Sequence, residues 1–199
     1  KNETAKMNRI LVVKVGTSLL RGNNGSSTTQ FIASLAASLS AERSKGNGVA
    51  LVTSGAVGLG CQELGLGKRP QLVEELQAAA AIGQGQLMGL YADAFRCHRQ
   101  TVAQVLLTRS DLASNRRFQS ASRTLKQLLS WNVLPIINEN DTLATEELRF
   151  GDNDTLSALV AVALQADELI LLTDVDRLYS ADPRQNQGAT PISEVQNLA

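Results

Sequence analysis

Apolar residues fall along this chain in two alternating rhythms, and the alternation predicts the architecture. Short runs that are apolar at nearly every position occur at Arg9 to Val15, Val49 to Val52, Val102 to Leu107, Val133 to Ile137 and Leu169 to Leu172. Such β-branched runs read as strands covered on both faces, as in a parallel sheet. Between them apolar residues recur at helical spacing. From Thr28 to about Lys45, for example, Phe31, Ile32, Leu35, Ala36 and Leu39 mark one face. Further helices are predicted from Ala56 to about Leu64, Leu72 to Arg96, Asn115 to Ser130 and Asp154 to Leu164. Strands alternating with helices throughout predict an α/β fold, a three-layer α/β/α sandwich with a mainly parallel central sheet.

The polar punctuation says where chemistry would gather. Thr28 or Thr29 is placed to cap the first long helix, and Gly46 and Gly48 to close it. Thr53-Ser54-Gly55-Ala56 turns a strand into a helix, and Ser54 there is expected to cap free N–H groups that also suit an anion. Glycines at 83 and 85 predict that the helix from Leu72 is either interrupted or closely packed. Lys14, inside an apolar strand, needs an anion or water at its tip. The most informative stretch is 138 to 154. Asn138-Glu139-Asn140-Asp141 and Gly151-Asp152-Asn153-Asp154 put carboxylates and amides between an apolar strand and an apolar helix. In open α/β sheets ligands settle beyond the carboxyl ends of strands, so this stretch is expected to form a substrate site, with Asp152 capping the helix. A solvated loop with an ordinary cap is the alternative.

Composition narrows the partners. The 199 residues suit one domain with a core that needs neither disulfide nor metal. Hydrophobic residues make up 43% and the formal net charge is zero, which argues against disorder and against general polyanion binding. With aromatics at 4%, little is available for base stacking, so nucleic acid is not an expected partner. Cys61, Cys97 and His98 are too few for a zinc site or a disulfide framework, and no metal-ligating residues are assigned. No apolar run is long enough for a membrane span, and a reducing, cytoplasmic location is expected. Lys1 stands where a methionine would, Met7 is a candidate natural start, and residues 1–6 are expected to be a flexible extension.

Known phosphate-binding patterns are missing. Gly65-Leu66-Gly67-Lys68-Arg69 lacks the earlier glycine and the following Ser/Thr of a Walker loop, and Gly58-Leu59-Gly60 has no third glycine for a dinucleotide fold. Asp111, Arg116 and Arg117 read as helix-end charges. Five other motifs, however, occur in order: Val12-Val13-Lys14-Val15-Gly16-Thr17-Ser18, Val52-Thr53-Ser54-Gly55-Ala56, Asn138-Glu139-Asn140-Asp141, Gly151-Asp152-Asn153-Asp154, and Leu172-Thr173-Asp174 with Leu178-Tyr179 and Ala181-Asp182-Pro183-Arg184. Each is weak alone. In register they closely resemble the amino acid kinase family, and the third and fourth point to its glutamate-phosphorylating branch.

The resemblance implies transfer of the γ-phosphoryl of ATP to the side-chain carboxylate of L-glutamate, the first step of proline synthesis, by a domain spanning 7–199. A carboxylate is already an anion at neutral pH, so no general base is required. By the same resemblance Lys14 and Asp154 are catalytic, Lys14 on the ATP phosphates and Asp154 as its orienter. Ser54, Gly55, Ala56, Asn138, Asp141, Asp152 and Asn153 would bind substrate, and Lys14, Gly16, Thr17, Thr173 and Asp174 would bind ATP. Magnesium would arrive with ATP. Proline as a feedback inhibitor and assembly into a homo-oligomer are also implied. Family members carry a Gly-rich turn and a second lysine after the Asp-Pro-Arg region, and no lysine follows Pro183 here. The chain is therefore expected to lack the C-terminal part of its domain. Two alternatives stay open: a family member acting on acetylglutamate, aspartate or a nucleotide, and a catalytically silent amino-acid sensor.

Overall fold

The computed structural model describes residues 7–21, 27–143 and 153–195. Five strands form the sheet: β1 (Ile10–Val15), β2 (Gly48–Val52), β3 (Thr101–Leu107), β4 (Val133–Glu139) and β5 (Glu168–Leu172). Their spatial order is β3-β4-β2-β1-β5, with every pairing parallel. The register of β1 sets Lys14 against Val52 of β2 on one side and Leu171 of β5 on the other. Pro135 has no N–H to give, and the ladder from β4 to β2 begins one residue later, at Ile136.

The period of two along each strand sorts the core into two halves. Val13, Val15, Val49, Leu51, Leu134 and Ile136 face α2 (Thr28–Ser44) and α4 (Val73–Arg96), where Ile32, Leu35, Leu39, Leu87, Tyr91 and Phe95 complete one cluster. Val12, Ala50, Val52 and Ile137 face α6 (Asn115–Ser130) and α7 (Asn153–Leu164), meeting Leu125, Leu129, Leu156 and Val160. Full burial of each such large side chain contributes about 1.5–3 kcal/mol, and helices on both faces keep the parallel sheet dry. The expected three-layer sandwich is therefore what forms.

Helix α3 (Ala56–Glu63) lies against α4 with Val57, Leu76, Ala79 and Ala80 between them. It can approach closely because Gly60 and Gly83 stand at the contact. A Cβ on Gly83 would lie 1.8 Å from the carbonyl oxygen of Ala56. Helix α4 is continuous through both of its central glycines, so of the two expectations there, close packing at Gly83 is the one realised, while a Cβ on Gly85 would meet nothing.

Some local detail differs from the sequence reading. Ser27, not Thr28 or Thr29, caps α2, accepting from the Gln30 backbone N–H while the Gln30 side chain accepts from its own, a reciprocal capping box. Two short helices, α1 (Thr17–Leu20) and α5 (Arg109–Ala113), and an antiparallel pair, β6 (Leu178–Tyr179) with β7 (Pro191–Ile192), were not visible as apolar patterns. Asp111 is the third residue of α5 and closes a capping box with Thr108, in keeping with a helix-end role. Burial works to raise its carboxyl, but bonds from Thr108 and the charge of Arg117 outweigh that and hold it below the usual value.

Candidate active site

Strands β4, β2 and β1 are neighbours, so their carboxyl ends bring three of the five motifs together. Lys14 is the next-to-last residue of β1 and only 6% exposed. Its Nζ lies 2.6 Å from Oδ1 of Asp154, in the first turn of α7. The anion that a lysine in an apolar strand demands is thus a carboxylate from 140 residues later. The Asp154 side chain remains 44% exposed, so the pair sits at the solvent boundary of the site rather than inside the core.

Next to it, one amide ties the strand ends together. Asn153 opens α7 and is nearly buried; its Nδ2 donates to the Thr53 carbonyl (2.6 Å), to Ser54 Oγ (2.7 Å) and, more weakly, to Asn138 Oδ1 (3.2 Å). Ser54 was expected to cap α3. The structure instead gives the cap position to Gly55, whose φ of 99° is left-handed and costs glycine nothing, with no side-chain cap bond. Because Ser54 Oγ accepts from Asn153, its own hydroxyl hydrogen turns away from that bond and can be donated elsewhere. Thr53 is held in turn by a 2.8 Å bond between its hydroxyl and Tyr91, a fully buried phenol whose pKa is pushed up by burial.

Asn138 is the sixth residue of β4, 2% exposed, and both ends of its amide are engaged. Oδ1 accepts from the Glu139 backbone N–H (2.8 Å) as well as from Asn153, and Nδ2 donates to Gln84 Oε1 on α4 (2.8 Å). Just beyond, Asp141 lines a small cavity with Ala56, Ala80, Gln84, Leu106, Glu139, Asn140 and Thr142. Gly16 has an ordinary extended backbone, so conformation does not demand glycine. A Cβ there would stand 3.6 Å from Lys14 Nζ, over the ammonium that a ligand would have to reach. Thr17 starts α1 and lines a separate, larger cavity with Leu20, Arg21, Gly55, Gly58 and Arg69.

At the end of β5, Thr173 donates to Asp174 (3.2 Å), and Arg184 from the Asp-Pro-Arg motif lies 3.1 Å from the same carboxylate. Burial works to raise Asp174, but its own backbone N–H, Arg184 and Thr173 prevail and lower its pKa. Asp152 lies outside the described residues. Among the described residues no group of three or more His, Cys, Asp and Glu side chains could hold a metal. No helix among these residues is long and apolar enough to cross a membrane. Sequence reasoning missed Gln84 and Tyr91. A glutamine on the buried stripe Ala80, Gln84, Leu87, Tyr91 was the available signal.

The carboxyl ends of β1, β2 and β4 thus gather the Lys14 ammonium, the Ser54 hydroxyl and the Asn138 amide, with Asn153 and Asp154 supplied by the start of α7. The amino acid kinase family model matches residues 9–198, and the chain belongs to that family. It is 66% identical over 184 residues to a protein named glutamate 5-kinase from Prochlorococcus marinus (strain MIT 9313), covering 92% of this chain and 51% of the relative. It is 62% identical to one of the same name from Synechococcus sp. (strain CC9605), covering 94% and 51%. The chain thus spans about half the length of the curated relatives it matches. Among solved structures, an isopentenyl phosphate kinase of T. acidophilum in a product complex shares the fold, at 21% identity and a TM-score of 0.61, covering 90% of this chain and 76% of that one. An isopentenyl phosphate kinase substrate complex does so at 23% identity and a TM-score of 0.63, covering 91% and 76%.

Proposed function

We propose that the full-length protein phosphorylates the side-chain carboxylate of L-glutamate from ATP, forming L-glutamyl 5-phosphate for proline synthesis, and that 7–199 is the larger part of the domain that does so. The observation that carries this is the adjacency of the Lys14–Asp154 pair to the Ser54–Asn153–Asn138 network. The carboxylate acceptor and the triphosphate of ATP repel, and a loose phosphoryl-transfer transition state spreads negative charge over its equatorial oxygens. Lys14 supplies the neutralising charge, aimed by Asp154, and Gly16 leaves that ammonium uncovered. Thr17, Thr173 and Asp174 take the rest of the nucleotide, which brings Mg2+ on its phosphates. Ser54 donates its hydroxyl to the substrate, with the backbone of Gly55 and Ala56 beside it, while Asn153 fixes Ser54 and Asn138 fixes Asn153. Asp152 adds a substrate contact from outside the described residues. The naming of relatives at 62–66% identity as glutamate 5-kinases supports glutamate over acetylglutamate, aspartate or a nucleotide as acceptor.

Asp141 accepts the substrate ammonium in this reading. Removing its charge leaves that cation without a counter-charge in a partly enclosed site, which costs about 1.5–3 kcal/mol for a charged hydrogen bond. In a coupled assay of ADP release by the full-length enzyme, Asp141→Asn therefore raises the glutamate KM by about one to two orders of magnitude and leaves the ATP KM nearly unchanged. Equal weakening of both ligands would move Asp141 to a scaffolding role, and a better rate with another acceptor would overturn glutamate as substrate.

Proline carries an α-carboxylate and a cationic amine as glutamate does, without the side-chain carboxylate. In this reading it is a feedback inhibitor that occupies part of the same pocket. Linkage then requires each ligand to lower the other's apparent affinity by the same factor. Glutamate titrations at several proline concentrations should show half-saturation rising with proline. Proline that binds calorimetrically without raising it refutes the shared pocket.

A further inference from the structure

The amide of Gln84 has an orientation fixed from a distance. The backbone N–H of Glu139 can only donate, so the Asn138 atom it meets at 2.8 Å is the oxygen. Asn138 must then turn its Nδ2 to α4, where it donates to Gln84 at 2.8 Å, and Gln84 must answer with Oε1. The remaining end of Gln84 is consequently Nε2, an obligate donor. That nitrogen is buried and has no partner among the described residues. Gln84 as a whole is 8% exposed. A buried donor left unmet is rare in folded proteins unless a water or ligand completes it. Gln84 also lines the small cavity that carries Asp141, Glu139 and Ala56, the first residue of α3.

We infer that Gln84 is a substrate-binding residue, its Nε2 donating to the α-carboxylate of the amino acid whose ammonium meets Asp141. This rests on the proposed activity and deepens it. An amino acid carries a carboxylate and an ammonium on one carbon, and Gln84 and Asp141 line the same cavity, whose volume of about 10 Å³ must widen to admit that head group. The same glutamine holds Asn138, which holds Asn153 and through it Ser54, so the head-group contact and the reacting end of the site share one chain of hydrogen bonds.

The test uses two variants of the full-length enzyme. Gln84→Met removes the donor together with the acceptor that faces Asn138. Gln84→Glu keeps the acceptor that faces Asn138 and puts a carboxylate where the donor stood. Both should raise the glutamate KM on the order of 10- to 100-fold, with the ATP KM within a few-fold of wild type. Lowering the pH should relieve the Gln84→Glu defect relative to wild type, because a protonated carboxyl donates again, and should leave the Gln84→Met defect in place. An unchanged glutamate KM in both variants assigns the amide to a structural water and overturns the inference. A parallel rise in the ATP KM, or loss of the folded state in both, assigns it to the scaffold and does the same. Wild-type enzyme that does not phosphorylate glutamate defeats the activity separately. Calorimetric affinities of the variants for whichever α-amino acid the wild type binds then decide Gln84, and binding of none overturns it.

Discussion

Turnover by the full-length enzyme should fall by two to three orders of magnitude or more in Lys14→Ala, with the glutamate KM within a few-fold of wild type. The size follows from position. Lys14 is 6% exposed, and its ammonium is held at 2.6 Å by Asp154, so its charge acts where little water screens it. Losing one preorganised electrostatic group at a developing charge typically costs about 2.7–4 kcal/mol of barrier. Asn153 is bonded to Ser54, Thr53 and Asn138, and none of these bonds involves Lys14, so the substrate side stays assembled. Asp154 loses its counter-ion, but its side chain is 44% exposed and water can take over, which keeps the fold intact. Single-turnover rates at saturating ATP and glutamate give the measurement. Near-normal rates would remove Lys14 from the chemistry.

How much of this was legible in the sequence depends on the range of the interaction. The five sheet strands and the long helices were, because runs such as Val133 to Ile137 are apolar at every step and so declare burial on both sides. Lys14 and the two polar motifs around β4 and α7 were, because polar atoms at the end of an apolar strand must meet something. What was not legible is which atoms they meet. Ser54 was read as a local cap, whereas its hydroxyl bonds to Asn153, 99 residues away, and Gly55 takes the cap position through its positive φ. Arg43 shows the same limit: a basic residue near the end of α2 looks like a surface charge. In the fold it is 8% exposed and bonded at 2.6 Å to Gln100 and to the backbone and side chain of Asn132. Burial lowers its basicity, and it joins three connections that no spacing rule links. Helices α1 and α5 span 4 and 5 residues, too few to show a period.

Replacing Gly83 by alanine should destabilise the full-length protein by about 3 kcal/mol or more, although alanine is the better helix former by about 1 kcal/mol in an open position. The added Cβ would lie 1.8 Å from the Ala56 oxygen and 2.4 Å from the Gly60 nitrogen, backbone atoms that cannot rotate aside as a side chain could. A Cβ on Gly60 would likewise stand 1.8 Å from the Ala79 oxygen, so α3 and α4 touch backbone to backbone at two points and must part if either glycine gains a side chain. Parting them opens the cluster of Val57, Leu76, Ala79 and Ala80. It also reaches the site, since Gln84 follows Gly83 and Ala56 follows the Ser54–Gly55 turn; the glutamate KM should rise together with the loss of stability. Gly85, two residues along the same helix, is the control. A Cβ there meets nothing within 4 Å, so Gly85→Ala should be neutral or stabilising by up to about 1 kcal/mol. Denaturant midpoints of the two variants measured side by side decide the matter: equal midpoints would mean that α3 does not sit on α4 as described.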